Sequence, residues 1–218
     1  MINLAFADDQ LLFRKAMISL LSSFSNVRVC IEADNGKELL DAMAACNEPI
    51  HITLLDITMP VMNGIDTLRQ LRKHHPEITN IVLTVHEEDK FIYKLIEEGA
   101  NAYIAKSATP GEVEKVIKAV TENDYYFNEK HMSVIRSFRP AKGQKNDLQN
   151  VENLTKREME ILLCICQELT SPEMAEKFFI SESTVNGHRN NLLAKTGARN
   201  TAGLVLFAIR KGLFDVDL

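Results

Sequence analysis

The sequence predicts a doubly wound α/β domain of five parallel strands, followed by an all-α domain. Three observations carry this. Over the first 122 residues, short apolar runs alternate with amphipathic stretches of helical spacing. A polar segment punctuated by Pro and Gly follows. After Val151 only helical patterns remain. The strands are expected at Ile2–Ala7, Val27–Ala33, His51–Leu55, Asn80–Thr84 and Asn101–Ala105. Between them, Leu39, Leu40 and Met43, then Ile65, Leu68, Leu71 and Arg72, then Ile92, Leu95 and Ile96 recur at helical spacing. Strands alternating with helices imply a parallel sheet covered on both faces.

Residues 123–153 read as a linker. Arg139-Pro140-Ala141-Lys142-Gly143-Gln144-Lys145-Asn146-Asp147 is its polar centre, and Met132–Phe138 is predicted as a short helix ahead of it. Residues 154–218 form the second domain. Thr155-Lys156-Arg157-Glu158 reads as a capping box that opens a helix through Ile161, Leu162 and Ile165. Ser171-Pro172-Glu173 reads as an N-cap, a Pro at the first helical position and an acid in the first turn. A short helix holding Met174, Ala175 and Phe178 follows. Ser181 is expected to cap a third helix holding Val185, Leu192 and Leu193. A fourth runs from about Thr201 to Arg210 and ends at Gly212. The tight turn Phe179-Ile180-Ser181 between the second and third makes a helix-turn-helix candidate.

Composition bounds the function. A chain of 218 residues, 45% hydrophobic and 25% charged, suits two small soluble domains. No apolar run reaches the eighteen or so residues of a membrane helix, so no membrane partner is expected. The N-terminus has no basic region, and Asp8 and Asp9 come early, so no signal peptide is expected. Cys30, Cys46, Cys164 and Cys166 show no metal-ligand spacing and read as core or half-buried thiols of a reducing cytoplasm. His74-His75 before Pro76 reads as a solvated helix end, and Tyr125-Tyr126-Phe127 as packing near the linker. The net charge is −5, yet Lys177 to Lys211 hold six basic residues and one acidic, a local balance of +5. That split points to a small nucleic-acid-facing region on an acidic protein.

In an open parallel sheet, ligands sit beyond the carboxyl ends of the strands. The expected ends carry Asp8 and Asp9, Asp56, Thr84 and Lys106. Three adjacent carboxylates repel one another and need a cation, and oxygen-only ligands favour Mg²⁺. An ammonium and a hydroxyl beside them suit an incoming phosphoryl group. The site is built to place a phosphoryl group on a carboxylate, with Asp56 as acceptor. Pro60 stops the strand, and Asn63-Gly64 turns the chain into the next helix.

With "ADDQ", "LLDITMPVMNG", "VLTVHEED" and "GANAYIAKS", residues 1–122 resemble the receiver domain of two-component response regulators, a flavodoxin-like fold. The resemblance implies that a histidine kinase phosphorylates Asp56. It implies Mg²⁺ on Asp9, Asp56 and the Thr58 carbonyl, with Asp8 acting partly through water. Thr84 and Lys106 would contact the phosphoryl oxygens, and Tyr103 would be the aromatic switch that turns when Thr84 moves. Ser107 stands where many receivers have proline. Residues 154–212, with "LTKREMEILLCI" and "ISESTVNGHRNNLLAKTGARN", resemble the helix-turn-helix output domain of NarL/FixJ (LuxR-type) regulators. "ELTSPEMAEKF" departs from the usual Gly-x-Ser-Asn-Lys-Glu-Ile turn, and Asn186 stands where lysine is common. Together these imply a transcription factor that binds double-stranded DNA and dimerises when phosphorylated.

Helical spacing places Ser183, Asn186, Gly187 and Asn190 on one face of the third output helix, opposite Val185 and Leu192. Gly187 would allow close approach in the major groove while Asn186 and Asn190 read adenine edges. Thr184, Arg189, Lys195 and Arg199 would contact phosphates. Two other classes compete. Aspartyl phosphatases need a second acid two residues after the nucleophile, and Thr58 occupies that position. Turnover of an external substrate is therefore not expected, which leaves room for a receiver that catalyses only its own phosphorylation and dephosphorylation. An output domain acting through protein contacts is the other alternative.

Overall fold

The computed structural model describes residues 1–85, 89–127 and 153–214, with the side chains of 89 and 90 left out. The chain divides into two compact units, Met1–Val120 and Thr121–Leu218. The first is the expected α/β domain. Its strands are β1 (Ile2–Ala7), β2 (Val27–Ala33), β3 (Ile52–Asp56), β4 (Thr79–Thr84) and β5 (Ala102–Ala105). They lie in the order β2-β1-β3-β4-β5, all parallel. Helices α1 (Leu11–Ser22), α2 (Gly36–Ala45), α3 (Gly64–His74), α4 (Asp89–Glu98) and α5 (Pro110–Asn123) alternate with them.

The core lies along the central strands. Leu4, Phe6, Leu54, Leu55, Ile81 and Leu83 are fully buried, and every residue of β3 is buried, as expected of a parallel strand covered on both faces. Two buried polar groups tie the sheet together. The Thr53 hydroxyl donates to Asn80 Oδ1 at 2.7 Å, and the Asn80 amide donates to Asn101 Oδ1 at 3.0 Å. Polar side chains survive in such a core because each finds a partner there.

Strand β3 starts one residue later than the expected apolar run and includes Asp56, which pairs with Leu83. The acid is thus the last residue of the ladder, the strand end expected of it. Asn63 caps α3 by accepting from the Asp66 amide at 2.9 Å. Gly64, the first residue of α3, donates to the Ile57 carbonyl at 3.0 Å. A Cβ at Gly64 would fall 2.2 Å from the Asp56 carbonyl oxygen. Only glycine lets the helix start this close to the end of β3.

The second unit contains α6 (Lys156–Cys166), α7 (Ser171–Phe178), α8 (Glu182–Thr196) and α9 (Thr201–Arg210). The Thr155–Glu158 capping box is present, and Ser181 caps α8. The expected cap at Ser171 is corrected. Thr170 is the N-cap, in a full capping box with Glu173, and Ser171 is the first helical residue. The Thr170 hydroxyl can reach the Glu173 amide while the Glu173 carboxylate reaches back to the Thr170 amide, which satisfies two donors at once. Phe179 makes the turn before α8 in the left-handed region at φ 55°. Ile161, Leu162, Ile165, Met174, Val185, Leu192, Leu204 and Val205 fill the core.

The division falls two residues before the expected boundary at 122, since Thr121 and the chain after it belong to the second unit. Tyr125 and Phe127 are buried there, and the Tyr125 hydroxyl donates to the Ile165 carbonyl at 2.8 Å. The expected linker core and the helix at Met132–Phe138 lie outside the described residues. Cys164 and Cys166 are buried and Cys30 and Cys46 half-buried, as anticipated. No helix among the described residues is long and apolar enough to cross a membrane.

Gly64→Ala should cost about 1–3 kcal/mol by forcing backbone apart at the end of β3. Chemical denaturation followed by far-UV circular dichroism measures it. A stability equal to the parent would show that the close approach can relax.

Candidate functional site

The strand order places the ends of β1, β3, β4 and β5 along one edge of the sheet. Asp8 and Asp9 follow β1, Asp56 ends β3, Thr84 ends β4 and Lys106 follows β5. Asp8, Asp9 and Asp56 each bring a carboxylate oxygen within 4.8 Å of the others. The Lys106 ammonium lies 2.8 Å from Asp8 Oδ2 and 3.1 Å from Asp56 Oδ2. It also sits 4.8 Å from the centre of the Phe13 ring. The Lys106 amide donates to the Thr84 carbonyl at 2.8 Å, which fixes the loop that carries the ammonium.

Burial sets the electrostatics. Asp8 is fully buried, Asp56 and Thr84 nearly so, and Asp9 is exposed. Burial raises the Asp56 carboxyl above its ordinary value, against the opposing pull of Lys106. Burial alone would lower the Lys106 ammonium, but its contacts with Asp8 and Asp56 outweigh that and hold it above its ordinary value. One cation thus faces three carboxylates in a poorly solvated site.

The donor set suits a hard divalent cation. It offers oxygen only, with one acid open to solvent and two held inside. Asp8 Oδ2 is buried, and its contact in the site is the Lys106 ammonium at 2.8 Å. Such an all-oxygen set suits Mg²⁺, which takes carboxylate ligands and keeps several of its waters. The Thr58 backbone lies in the exposed loop two residues beyond Asp56. Val61 in the same loop is exposed and held at φ 64°, a conformation that β-branched residues rarely adopt. Tyr103 is buried on β5. Sequence reasoning missed Arg14, which is buried beneath the acidic turn. A signal existed, since Arg14, Met17 and Leu21 are spaced as one helical face and all three are buried.

In the helical unit, Ser183, Thr184, Asn186, Gly187 and Asn190 are exposed along α8, while Val185 and Leu192 are fully buried. Thr184 shares a hydroxyl contact of 2.8 Å with the cap residue Ser181. The Ser171 hydroxyl donates to Asn186 Oδ1 at 3.4 Å. A Cβ at Gly187 would meet nothing within 4 Å, so packing inside the domain does not demand glycine there. Arg199 is exposed.

Two residues expected to contact phosphates carry internal partners in the folded chain. Arg189 donates to the Ser171 hydroxyl at 3.1 Å and the Thr201 hydroxyl at 2.7 Å, and pairs with Asp124. Lys195 pairs at 2.7 Å with Glu158, which is buried. Burial would raise the Glu158 carboxyl, but Lys195 and the Thr155 amide and hydroxyl outweigh it and hold it below its ordinary value. Sequence spacing could not reveal these pairs, because they join residues 65 and 37 positions apart.

Comparison with known proteins agrees with both units. A family described as the response regulator receiver domain matches residues 4–118, and the luxR family of bacterial regulatory proteins matches residues 152–208. The chain is 32% identical over 214 residues to an uncharacterized transcriptional regulatory protein, YxjL, of Bacillus subtilis, covering 97% of each chain. It is 30% identical over 222 residues to the response regulator GacA of Pseudomonas protegens, covering 100% of each. The RcsB response regulator of Salmonella typhimurium shares the fold with a TM-score of 0.58 at 19% identity, over 94% of this chain and 98% of that one. RcsB in a complex with DNA gives 0.56 at 18% identity, over 96% and 98%.

Two outcomes follow from these geometries. A carboxyl raised by burial contributes stability in acid that is lost as pH rises through its folded pKa. Asp56→Asn should therefore raise the melting temperature at neutral pH without divalent cations, with the gain shrinking as pH falls into the carboxylate range. Differential scanning calorimetry across pH checks it, and a lower melting temperature at neutral pH would contradict the burial argument. Gly187→Ala should stabilise the helical unit by roughly 1 kcal/mol, as for glycine in an exposed helix interior. If DNA approaches there, the same change should weaken DNA binding in a shift assay. Gain in stability with undiminished binding would place the groove contact elsewhere.

Proposed function

The chain belongs to the response regulators that join a receiver domain to a LuxR-type DNA-binding domain, and on that premise we propose how its two sites work. The protein is a transcriptional regulator, not a turnover enzyme. Asp56 is the phosphoacceptor, and the observation that carries this is the Lys106 ammonium bridging Asp8 and Asp56 at 2.8 and 3.1 Å. Asp9 and Asp56, with the Thr58 carbonyl, would hold Mg²⁺, with Asp8 acting partly through water. The ion would supply positive charge to offset the carboxylates and the phosphoryl oxygens.

The chain's own residues do the rest. A carboxylate oxygen of Asp56 bonds to phosphorus while the phosphorus–nitrogen bond of the kinase's phosphohistidine breaks. The imidazole leaves with the electron pair of that bond. Lys106 gives up its contact with Asp56 and meets the new phosphoryl oxygens, and the Thr84 hydroxyl donates to another. The departure of Thr84 from its place opens room for Tyr103 to turn inward. This two-state element favours a homodimer and DNA binding.

On double-stranded DNA, α8 lies in the major groove. Asn186 and Asn190 read base edges beside Gly187 and Ser183, and Thr184 and Arg199 contact phosphates. Arg189 and Lys195 join them while sharing their donors with, or exchanging, Asp124 and Glu158. A DNA-bound regulator of this kind works in the cytoplasm. The internal pairing of Arg189 and Lys195 also suits a second reading, an output domain that acts through protein contacts. A DNA shift assay over a salt series separates the two, since phosphate contacts give a steep salt dependence.

Incubation with a small-molecule phosphodonor and Mg²⁺ should label the chain with one acid-labile acyl phosphate. Asp56→Asn and Asp9→Asn should each abolish the label, the first by removing the nucleophile and the second through the metal. Intact-protein mass spectrometry reads it, and labelling that survives Asp56→Asn would sink the assignment.

A further inference from the structure

Arg14 sits in the first turns of α1 with its side chain only 5% exposed. Its guanidinium meets three acceptors from different segments. It donates to the Asp8 backbone carbonyl, donates from Nε to Glu32 Oε1 at 3.1 Å, and pairs with Asp34. Glu32 lies on β2, Asp34 just beyond it, and Lys15 adds a second contact to Glu32 at 2.7 Å. Core packing does not explain an arginine here, since Met17 and Leu21 share its buried face and are apolar. Charge balance does not call for a guanidinium either, because Arg14 and Lys15 together match Glu32 and Asp34 and a second ammonium would balance them equally well. What remains is geometry. A planar fork sets its donors at fixed, spread positions that reach acceptors on three separate segments, whereas an ammonium gathers its three donors at one point.

The Asp8–Asp9 turn is held from two sides. The Asp8 amide donates to the Ala33 carbonyl at 3.2 Å, and the Gln10 amide donates to Asp8 Oδ1 at 2.8 Å. Arg14 closes the set from below by fixing the Asp8 carbonyl. We propose that Arg14 is a positioning residue for the cation site, holding the Asp8–Asp9 turn against β2 so that its carboxylates converge with Asp56. This rests on the reading of Asp8, Asp9 and Asp56 as the Mg²⁺ ligands.

The test measures Mg²⁺ affinity of the full chain by isothermal titration calorimetry, beside cation-free thermal unfolding. Arg14→Met removes the donors at similar length. Arg14→Lys keeps the charge but not the fork. Glu32→Gln weakens the fork's far anchor and covers the case in which Arg14→Met does not fold. Each Arg14 variant should bind Mg²⁺ roughly tenfold more weakly, the scale seen when a group that orients a metal ligand is removed. Glu32→Gln should shift in the same direction by less. A purely structural role would lower the melting temperature and leave the Mg²⁺ affinity of the folded chain unchanged, and that result overturns the proposal. A wild-type chain that binds no Mg²⁺ would overturn the cation reading itself, and the role of Arg14 with it.

Discussion

The receiver unit is organised around one imbalance of charge, a single buried ammonium among three carboxylates. Lys106 neutralises part of Asp8 and Asp56, yet burial still raises the Asp56 carboxyl. A site left in that state favours any partner that adds positive charge or spreads the negative charge further. The surrounding fold serves to hold this state. The fully buried β3 delivers Asp56 to the edge of the sheet, Gly64 lets α3 start against it, and the Lys106 amide is tied to β4. The energy that keeps the carboxylates together comes from the apolar core beneath them, not from contacts among the acids.

The helical unit handles charge the opposite way. Its buried carboxylate, Glu158, accepts on Oε2 from the Thr155 amide and hydroxyl and from Lys195. Three donors hold its carboxyl below the ordinary range, so this group contributes stability at neutral pH that is lost as acid carries it through its folded pKa. The same pairing removes Lys195 from the pool of free cations, as Asp124, Ser171 and Thr201 do for Arg189. The +5 balance of this stretch therefore overstates the charge that α8 presents outward. What α8 does present is a row of short polar side chains around Gly187, a glycine that costs helix stability with no compensating contact inside the domain. That is a surface shaped for close approach more than for attraction.

Much of this was legible in the chain itself. β1 and β2 lie where the short apolar runs put them, because strands of a covered parallel sheet are mostly apolar, with Arg28 and Glu32 the exposed charges on the edge strand β2. The Thr155 box, the Ser181 cap and the limits of α9 were equally plain, because caps act between residues three apart and need no distant partner. Position in the chain also brought Asp8, Asp9, Asp56, Thr84 and Lys106 to strand ends, and the topology of parallel sheets brings such ends to one edge. The misplaced cap at Ser171 was a choice between two adjacent hydroxyls, which only the reciprocal bonds of Thr170 and Glu173 decide.

Tertiary structure alone decided which charges are used up. Arg14 meets Glu32 and Asp34, Arg189 meets Asp124, and Lys195 meets Glu158 across separations that no periodicity spans. It also decided the burial that raises Asp56 and the 2.8 and 3.1 Å contacts that set Lys106 between two acids. Periodicity and capping are local, so the sequence by itself determined the elements, their order and the residues at the edge of the sheet. Ion pairing and desolvation depend on which side chains meet after the chain has packed, so the state of each charge was settled only by the folded structure.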